Sequence, residues 1–312
     1  MRILIAEDEV TFRSLLAALL KKNGHEVVET ENGAEAWDML RRPEAPRLAI
    51  LDWMMPVMDG IEVVRRVRRL QNDRPPYLII LTAKGRKTDI IAGLDAGAND
   101  YLTKPFDAGE LLARIEVGRR MVEMQDALME SREALAHQAT HDSLTGMLNR
   151  RAIIDHLRKE LERARRHGDV LAVGMCDIDH FKQINDSYGH QTGDEMLYGF
   201  SQIVQESLRT YDSLGRMGGE EFLVIAPMMA GTDCTSLFER LCLRIGGIRI
   251  PTRSGALSIT VSIGVACAGK ESTVDDVLGA ADAALYRAKN EGRNRVVYAG
   301  GLFAGEDHTC VS

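Results

Sequence analysis

Short aliphatic runs recur from residue 2 to about residue 120, each followed by a stretch whose apolar positions return at helical spacing. "RILIAED", "HEVVET", "LAILDW", "YLIILTA" and "DYLTKP" predict strands, and the amphipathic segments between them predict helices. Five such repeats predict an α/β unit with a parallel, doubly wound sheet. Sheets of this kind bind ligands beyond the carboxyl ends of their strands. Polar residues stand at those ends: Glu7 and Asp8, Asp52, Thr82, and Lys104 before Pro105.

The pattern changes at residue 107. Residues 107 to 140 contain no proline and only two early glycines, and strong helix formers fill the rest, which predicts one helix leaving the first domain as a connector. Val117, Met121, Met124, Leu128, Ser131, Leu135 and Gln138 alternate spacings of four and three, the seam of a coiled coil. A second seam, Ile115, Gly118, Val122, Gln125, Met129, Arg132 and Ala136, lies one residue along. Both carry polar members, so the alternative is one wide apolar stripe packed on a neighbouring domain. A paired helix that can choose between two registers is the expectation drawn from them.

"HDSLTGMLNRR" (141 to 151) ends the connector and opens a second α/β domain. Its first clear strand, "LAVGMCDID", ends in acids and runs into "HFKQINDSYGHQTGDEML"; a glycine hairpin, "GRMGGEEF", follows between apolar runs. Gly-Gly suits a two-residue hairpin turn. The absent side chains of Gly218 and Gly219 also leave room for a nucleotide to approach the backbone. Asp177 at one strand end and Glu220 at the start of another are expected to meet on adjacent strands and hold Mg²⁺, with Asp179 and Glu221 nearby.

Length and composition fit this division. The 312 residues suffice for two domains, and 45% hydrophobic with 27% charged residues is a globular balance. A net charge of -7 gives no overall basic footprint, and no DNA-binding module is recognisable, so a nucleic-acid partner is not expected. No apolar run approaches the roughly 18 to 20 residues of a membrane span. The N-terminus "MRILIAEDEV" turns acidic where a signal peptide would stay apolar, so a cytoplasmic location is expected. Five scattered cysteines (Cys176, Cys234, Cys242, Cys267, Cys310) suggest neither a disulfide framework nor a zinc site.

The strand-end residues of the first domain form a coherent set. Clustered carboxylates repel unless a hard cation sits among them, and Mg²⁺ favours carboxylate and phosphate oxygens. Glu7, Asp8 and Asp52 are the expected metal ligands of this domain, Asp52 the phosphoryl acceptor, and Thr82 and Lys104 the phosphoryl-oxygen partners. Residues 1 to 120 resemble the receiver domain of bacterial response regulators, of flavodoxin-like fold. The resemblance implies phosphorylation at Asp52 by a histidine kinase and a switch formed by Thr82, Tyr101 and Lys104. Together with the two competing seams of the connector, it gives the expectation that phosphorylation selects the register. Glu7 stands where that family more often has Asp, which keeps the charge and lengthens the arm.

"CDIDHFKQINDSYGHQTGDE", "RMGGEEF" and "AKNEGRN", in that order, resemble the GGDEF domain of diguanylate cyclases. The expected division is a receiver over 1–120, an overlapping helical coiled-coil linker over 107–140, a GGDEF domain over 141–299 and a flexible tail over 300–312. The resemblance implies an α+β, cyclase and polymerase-like palm that condenses two GTP into cyclic di-GMP with release of two pyrophosphates. Two Mg²⁺ ions are implied on Asp177, the Ile178 carbonyl and Glu220, and one in the receiver. Glu220 or Glu221 assists deprotonation of the 3′-hydroxyl, an alternative the sequence leaves open. Asn185 and Asp194 match the guanine readers; Lys182, Lys289 and Arg293 carry charge suited to phosphates.

Since one half-site binds one GTP and the product joins two, a homodimer is implied. Upstream of the hairpin, "RTYD" supplies Arg209 and Asp212 at the offset of the family's inhibitory product site, with Arg240 as the supporting arginine. A phosphorylation-activated cyclase with product inhibition is the expected function. The alternative is a catalytically idle module that binds GTP or cyclic di-GMP and signals through protein contacts.

Overall fold

The computed structural model describes residues 1–70, 72–83, 91, 93–228, 235–269 and 271–300. The expected tail from residue 301 onward, Cys234 and Cys310 lie outside the described residues. The chain divides into two compact units, Met1–Ala134 and Leu135–Ser312.

The first unit begins β1 (Arg2–Ala6), α1 (Val10–Lys22), β2 (Glu26–Thr30), α2 (Gly33–Leu40), β3 (Leu48–Asp52) and α3 (Gly60–Arg69). It continues with β4 (Tyr77–Thr82), β5 (Asp100–Thr103) and the long helix α4 (Ala108–Thr140). The sheet order is β2-β1-β3-β4-β5 and every pair is parallel, the doubly wound sheet expected. Alternate residues of each strand enter opposite cores. Ile3, Ile5 and Ile50 pack with Leu16, Leu20 and Ile115, while Leu4, Ala6 and Leu51 pack with Leu40, Ile61 and Val64. Burial on both faces is why these strands read as unbroken aliphatic runs. Asn32 and Asp59 cap α2 and α3 by accepting from Glu35 N and Glu62 N.

Helix α4 separates the two seams. Ile115, Gly118 and Val122 of the second seam are buried against the first unit's own sheet. Gly118 is required there, because a Cβ would lie 2.6 Å from the Tyr77 ring and 2.8 Å from Leu48 Cδ1. Arg47 continues the attachment, donating to Asp126 Oδ1 at 2.7 Å and Gln125 Oε1 at 3.3 Å. Val117, Met121, Met124, Leu128 and Leu135 of the first seam are exposed. The two seams are therefore not equivalent, as an exchange of register between them assumes: the second is held by its own domain along its first half.

The second unit comprises α5 (Arg150–His167), β6 (Val170–Ile178), α6 (Phe181–Tyr188), α7 (His190–Ser207), β7 (Ser213–Gly218) and β8 (Glu221–Met228). Then follow α8 (Thr235–Gly247), the hairpin β9 (Arg249–Thr252) and β10 (Gly255–Ser258), β11 (Val261–Ala268), α9 (Val274–Asn290) and β12 (Val296–Tyr298). The main sheet runs β12-β11-β6-β8-β7, antiparallel except for β11 with β12. Helices α7 and α8 cover one face through Met196, Phe200 and Phe238, and α5 and α9 cover the other through Ile153, Leu157, Val277 and Ala281. At Gly264 a Cβ would fall onto Ala281 O and Leu285 N, so α9 lies directly against the β11 backbone. Cys176, Cys242 and Cys267 are buried. Among the described residues no helix is long and apolar enough to cross a membrane.

Candidate functional site

The parallel sheet gathers its polar strand ends into one crevice. Glu7 follows β1, Asp52 closes β3 and Thr82 closes β4, and all three are buried; Asp8 is exposed. Carboxylate oxygens of Glu7, Asp8 and Asp52 lie within 4.8 Å of one another. Lys104 Nζ, which follows β5, sits 2.7 Å from Glu7 Oε2 and 3.3 Å from Asp52 Oδ1, over the Phe12 ring. Burial pushes the Glu7 carboxyl above its usual range, Lys104 pulls it back and Asp52 adds to the push. Asp52 is raised for the same first reason, again against Lys104. Three acids facing one ammonium make an all-oxygen donor set that suits a hard divalent cation. Tyr101 is half-buried, with the Arg114 guanidinium 5.8 Å from its ring centre.

In the second unit, antiparallel pairing of β6 with β8 sets the expected acids on neighbouring segments of chain. Asp177 is in register with Glu221, and Ile178 N donates to Glu220 O at 3.3 Å. Burial pushes Asp177 above the usual carboxylate range; Lys289 opposes this, and Glu220 and Glu221 add to it. Lys289 Nζ, delivered by α9, is 2.7 Å from Asp177 Oδ2. The two-residue turn is Gly219-Glu220, one place along from the expected Gly-Gly: Gly218 ends β7 paired with Glu221, and Glu220 sits in the turn instead of starting β8. Gly218 and Gly219 have φ of 147° and 53°, and a Cβ on either would meet nothing within 4 Å. Among the described residues only Glu7, Asp8 and Asp52 bring three ligand oxygens within 4.8 Å of one another; Asp177, Glu220 and Glu221 do not converge that closely, and Asp177 is paired with Lys289.

The remaining nucleotide candidates lie on the next elements. Asn185 on α6 is held against α7 at Gly193, where a Cβ would collide with Asn185 Oδ1. Asp194 lines a cleft of ≈ 610 Å³ between α7 and the β9–β10 hairpin, whose walls include Leu144, Tyr198, Ile250 and Pro251. Asn185 does not line that cleft. Arg253 ties the hairpin to α7, donating from N and Nε to Glu195 at 2.9 and 2.8 Å. Lys182 and Arg293 are exposed, Arg293 with φ 61° in the turn after α9.

A profile of the family described as diguanylate cyclase, GGDEF domain, matches residues 139–295, half of the chain, and a response regulator receiver domain profile matches 3–116. The chain belongs to the diguanylate cyclase GGDEF family. It is similar to the response regulator PleD of Caulobacter vibrioides, at 31% identity over 95% of this chain, and it spans 65% of that relative's length. The GGDEF unit is also similar to solved structures. One is DgcB of Caulobacter crescentus, coiled coil and GGDEF domain in complex with c-di-GMP: 33% identity, TM-score 0.54, 61% of this chain and 99% of that one. Another is the diguanylate cyclase SiaD of Pseudomonas aeruginosa in complex with its activator SiaC: 37% identity, TM-score 0.51, 61% of this chain and 74% of that one.

Away from the GGDEF acids, Asp212 Oδ2 accepts from Arg209 N at 2.9 Å, and Arg209 Nη1 donates to Tyr211 Oη at 2.9 Å. Burial raises the Asp212 pKa while the charges of Arg209 and Arg240 lower it, so the three expected residues form one cluster. Sequence reasoning missed the brace of the GGDEF turn. Arg216 donates from Nε and Nη2 to Gly219 O at 3.0 and 2.8 Å, and from Nη1 to Asp142 Oδ1 at 3.1 Å. Asp142 also accepts from Thr145 N and Oγ1 at 2.9 Å. "HDSLTG" thus reaches the hairpin from 74 residues away, and the arginine inside "GRMGGEEF" was the available signal.

Proposed function

We propose that the chain is a receiver-controlled diguanylate cyclase that condenses two GTP into cyclic di-GMP. The observation that carries this reading is the register of Asp177 with Glu221 on paired strands, with Glu220 in the adjoining turn and Lys289 on Asp177. Each reaction joins a 3′-oxygen to the α-phosphorus of the opposite nucleotide, breaks the bond to the β-phosphate and releases pyrophosphate; the hydroxyl proton leaves through Glu220, Glu221 or solvent. Asp177, the Ile178 carbonyl and Glu220 would hold two Mg²⁺, whose chemistry is to neutralise the triphosphate and stabilise the attacking oxygen.

Asp194 would accept from guanine N1–H and N2–H₂, a pattern adenine does not offer; Asn185, held against Gly193 outside the cleft that Asp194 lines, is proposed as the second guanine reader. Lys182, Lys289 and Arg293 would bind phosphate oxygens. Because each site supplies one nucleotide, two copies of the chain must face each other, and holding the reacting atoms in line is a large part of the acceleration. The exposed seam of α4, Val117, Met121, Met124, Leu128 and Leu135, is the surface proposed for pairing. In the receiver, Asp52 would accept a phosphoryl group from a histidine kinase beside Mg²⁺, with Lys104 and Thr82 on its oxygens and Tyr101 completing the switch. Arg209, Asp212 and Arg240 would bind the product and restrain the enzyme.

Mass-spectrometric detection of cyclic di-GMP from GTP and Mg²⁺ tests the reading. Wild type should form it, Glu220→Ala should fall by at least about 10²-fold, the scale of losing a group that stabilises charge in the reaction, and Arg209→Ala should remain active while product accumulates. GTP bound without any product would contradict the cyclase reading and leave a nucleotide-binding module.

A further inference from the structure

The turn after α9 is held in an unfavourable shape. Gly292 has φ 112°, and two residues without glycine's freedom follow in the left-handed region, Arg293 at 61° and Asn294 at 48°. Residues other than glycine seldom enter that region, asparagine more readily than arginine, and such conformations persist where the surroundings over-determine them. Arg293 N donates to Ala288 O at 3.0 Å, an ordinary helix-end closure. Asn294 N is claimed from the opposite side of the motif set, by Asp179 Oδ2 at 3.1 Å.

Asp179 is 4% exposed. Its Oδ1 accepts from Ser262 Oγ at 2.7 Å and its Oδ2 from Thr260 Oγ1 at 2.7 Å, while its own N–H donates to Thr260 O at 3.0 Å. The chain itself therefore supplies three donors to this carboxylate, from β11, from the residue before it and from the strained turn. Asp177, two residues earlier, has the opposite surroundings: one lysine and two neighbouring glutamates. "DID" looks like a pair of equivalent acids, and the fold uses them differently.

We propose that Asp179 is a positioning residue, which locks Asn294 and so fixes the backbone from which Arg293 reaches the phosphates of GTP. This rests on the cyclase reading above. Removing the lock lets the turn relax out of the left-handed region, and Arg293 loses its starting point. Glycine at position 294 removes the penalty at its source, since it adopts positive φ freely. A carboxylate acting as a metal ligand would instead couple to the identity of the cation, and no backbone change at 294 would replace it.

The test uses the full chain and 3′-deoxy-GTP, which binds as GTP does and lacks the attacking hydroxyl, titrated calorimetrically with Mg²⁺ and again with Mn²⁺. Asp179→Ala, which removes the acceptor, should weaken binding about tenfold, the scale of one lost hydrogen bond to a charged group. Arg293→Ala should weaken it at least as much, and the double variant no further than Arg293→Ala. Adding Asn294→Gly to Asp179→Ala should restore most of the affinity, and the Mg²⁺ to Mn²⁺ ratio should match wild type throughout. If Asp179→Ala does not fold, Thr260→Val carries the same test, with a severalfold loss that Asn294→Gly repairs. Additive losses, no rescue by glycine, or a ratio altered by Asp179→Ala would overturn the proposal. Wild type that fails to bind the analogue would instead overturn the cyclase reading beneath it.

Discussion

Asp52 sits in a buried crevice beside other acids, and the physical cost of charging it there is measurable. Its pKa is raised in the folded chain, first by burial, so the folded state takes up a proton more readily than the unfolded state does. Stability from this group is fully present below the usual value of 3.8 and is lost as pH rises through the folded pKa. Asp52→Asn is therefore expected to raise the melting temperature of the receiver transition by a few degrees at neutral pH without divalent cation, and the gain should shrink as pH falls toward 3.8. Mg²⁺ should reverse the order, adding about 2.7 kcal/mol to wild type at a hundredfold excess over its Kd and much less to the variant. Scanning calorimetry across pH checks both; a variant no more stable than wild type at neutral pH contradicts the account. The strand-end acids were legible in the sequence because a parallel sheet gathers them by topology alone. The division of labour between Asp177 and Asp179 was not, because Thr260 and Ser262 decide it from 81 and 83 residues away.

Among the elements, α4 carries the most consequence for control. Its seams were both visible as spacing, and their apolar content is similar. What separates them is the fit of Gly118 against Tyr77 and Leu48, and the reach of Arg47 to Asp126, neither of which leaves a local trace. Gly118→Leu should overpack this contact at a cost of about 1–3 kcal/mol, raising the undocked fraction roughly five- to 150-fold. The rate of thiol labelling at Val122→Cys reads this directly: it should be slow beside Gly118 and faster by that factor beside Gly118→Leu. Met121→Cys, on the exposed seam, should label quickly in both backgrounds. Equal rates at Val122→Cys would show that the helix is not held by this contact. The antiparallel palm was legible at its motif-bearing strands, whereas the Arg216 brace depends on a loop distant in sequence.

On the scale of the whole molecule, the account joins two chemistries in one chain: a carboxylate crevice suited to phosphorylation and a palm suited to joining nucleotides. Neither chemistry needs the other to fold, since each unit has its own sheet covered on both faces. The proposed control then acts on how two copies present their half-sites, which is a property of the dimer proposed here. The measurement that tests this most directly is the rate of cyclic di-GMP formation from GTP and Mg²⁺, before and after treatment with beryllofluoride as a phosphoryl mimic, in wild type and Asp52→Asn. The account predicts a rate that rises on treatment in wild type and does not respond in Asp52→Asn. A rate indifferent to beryllofluoride in wild type, or an equal rise in Asp52→Asn, would contradict it.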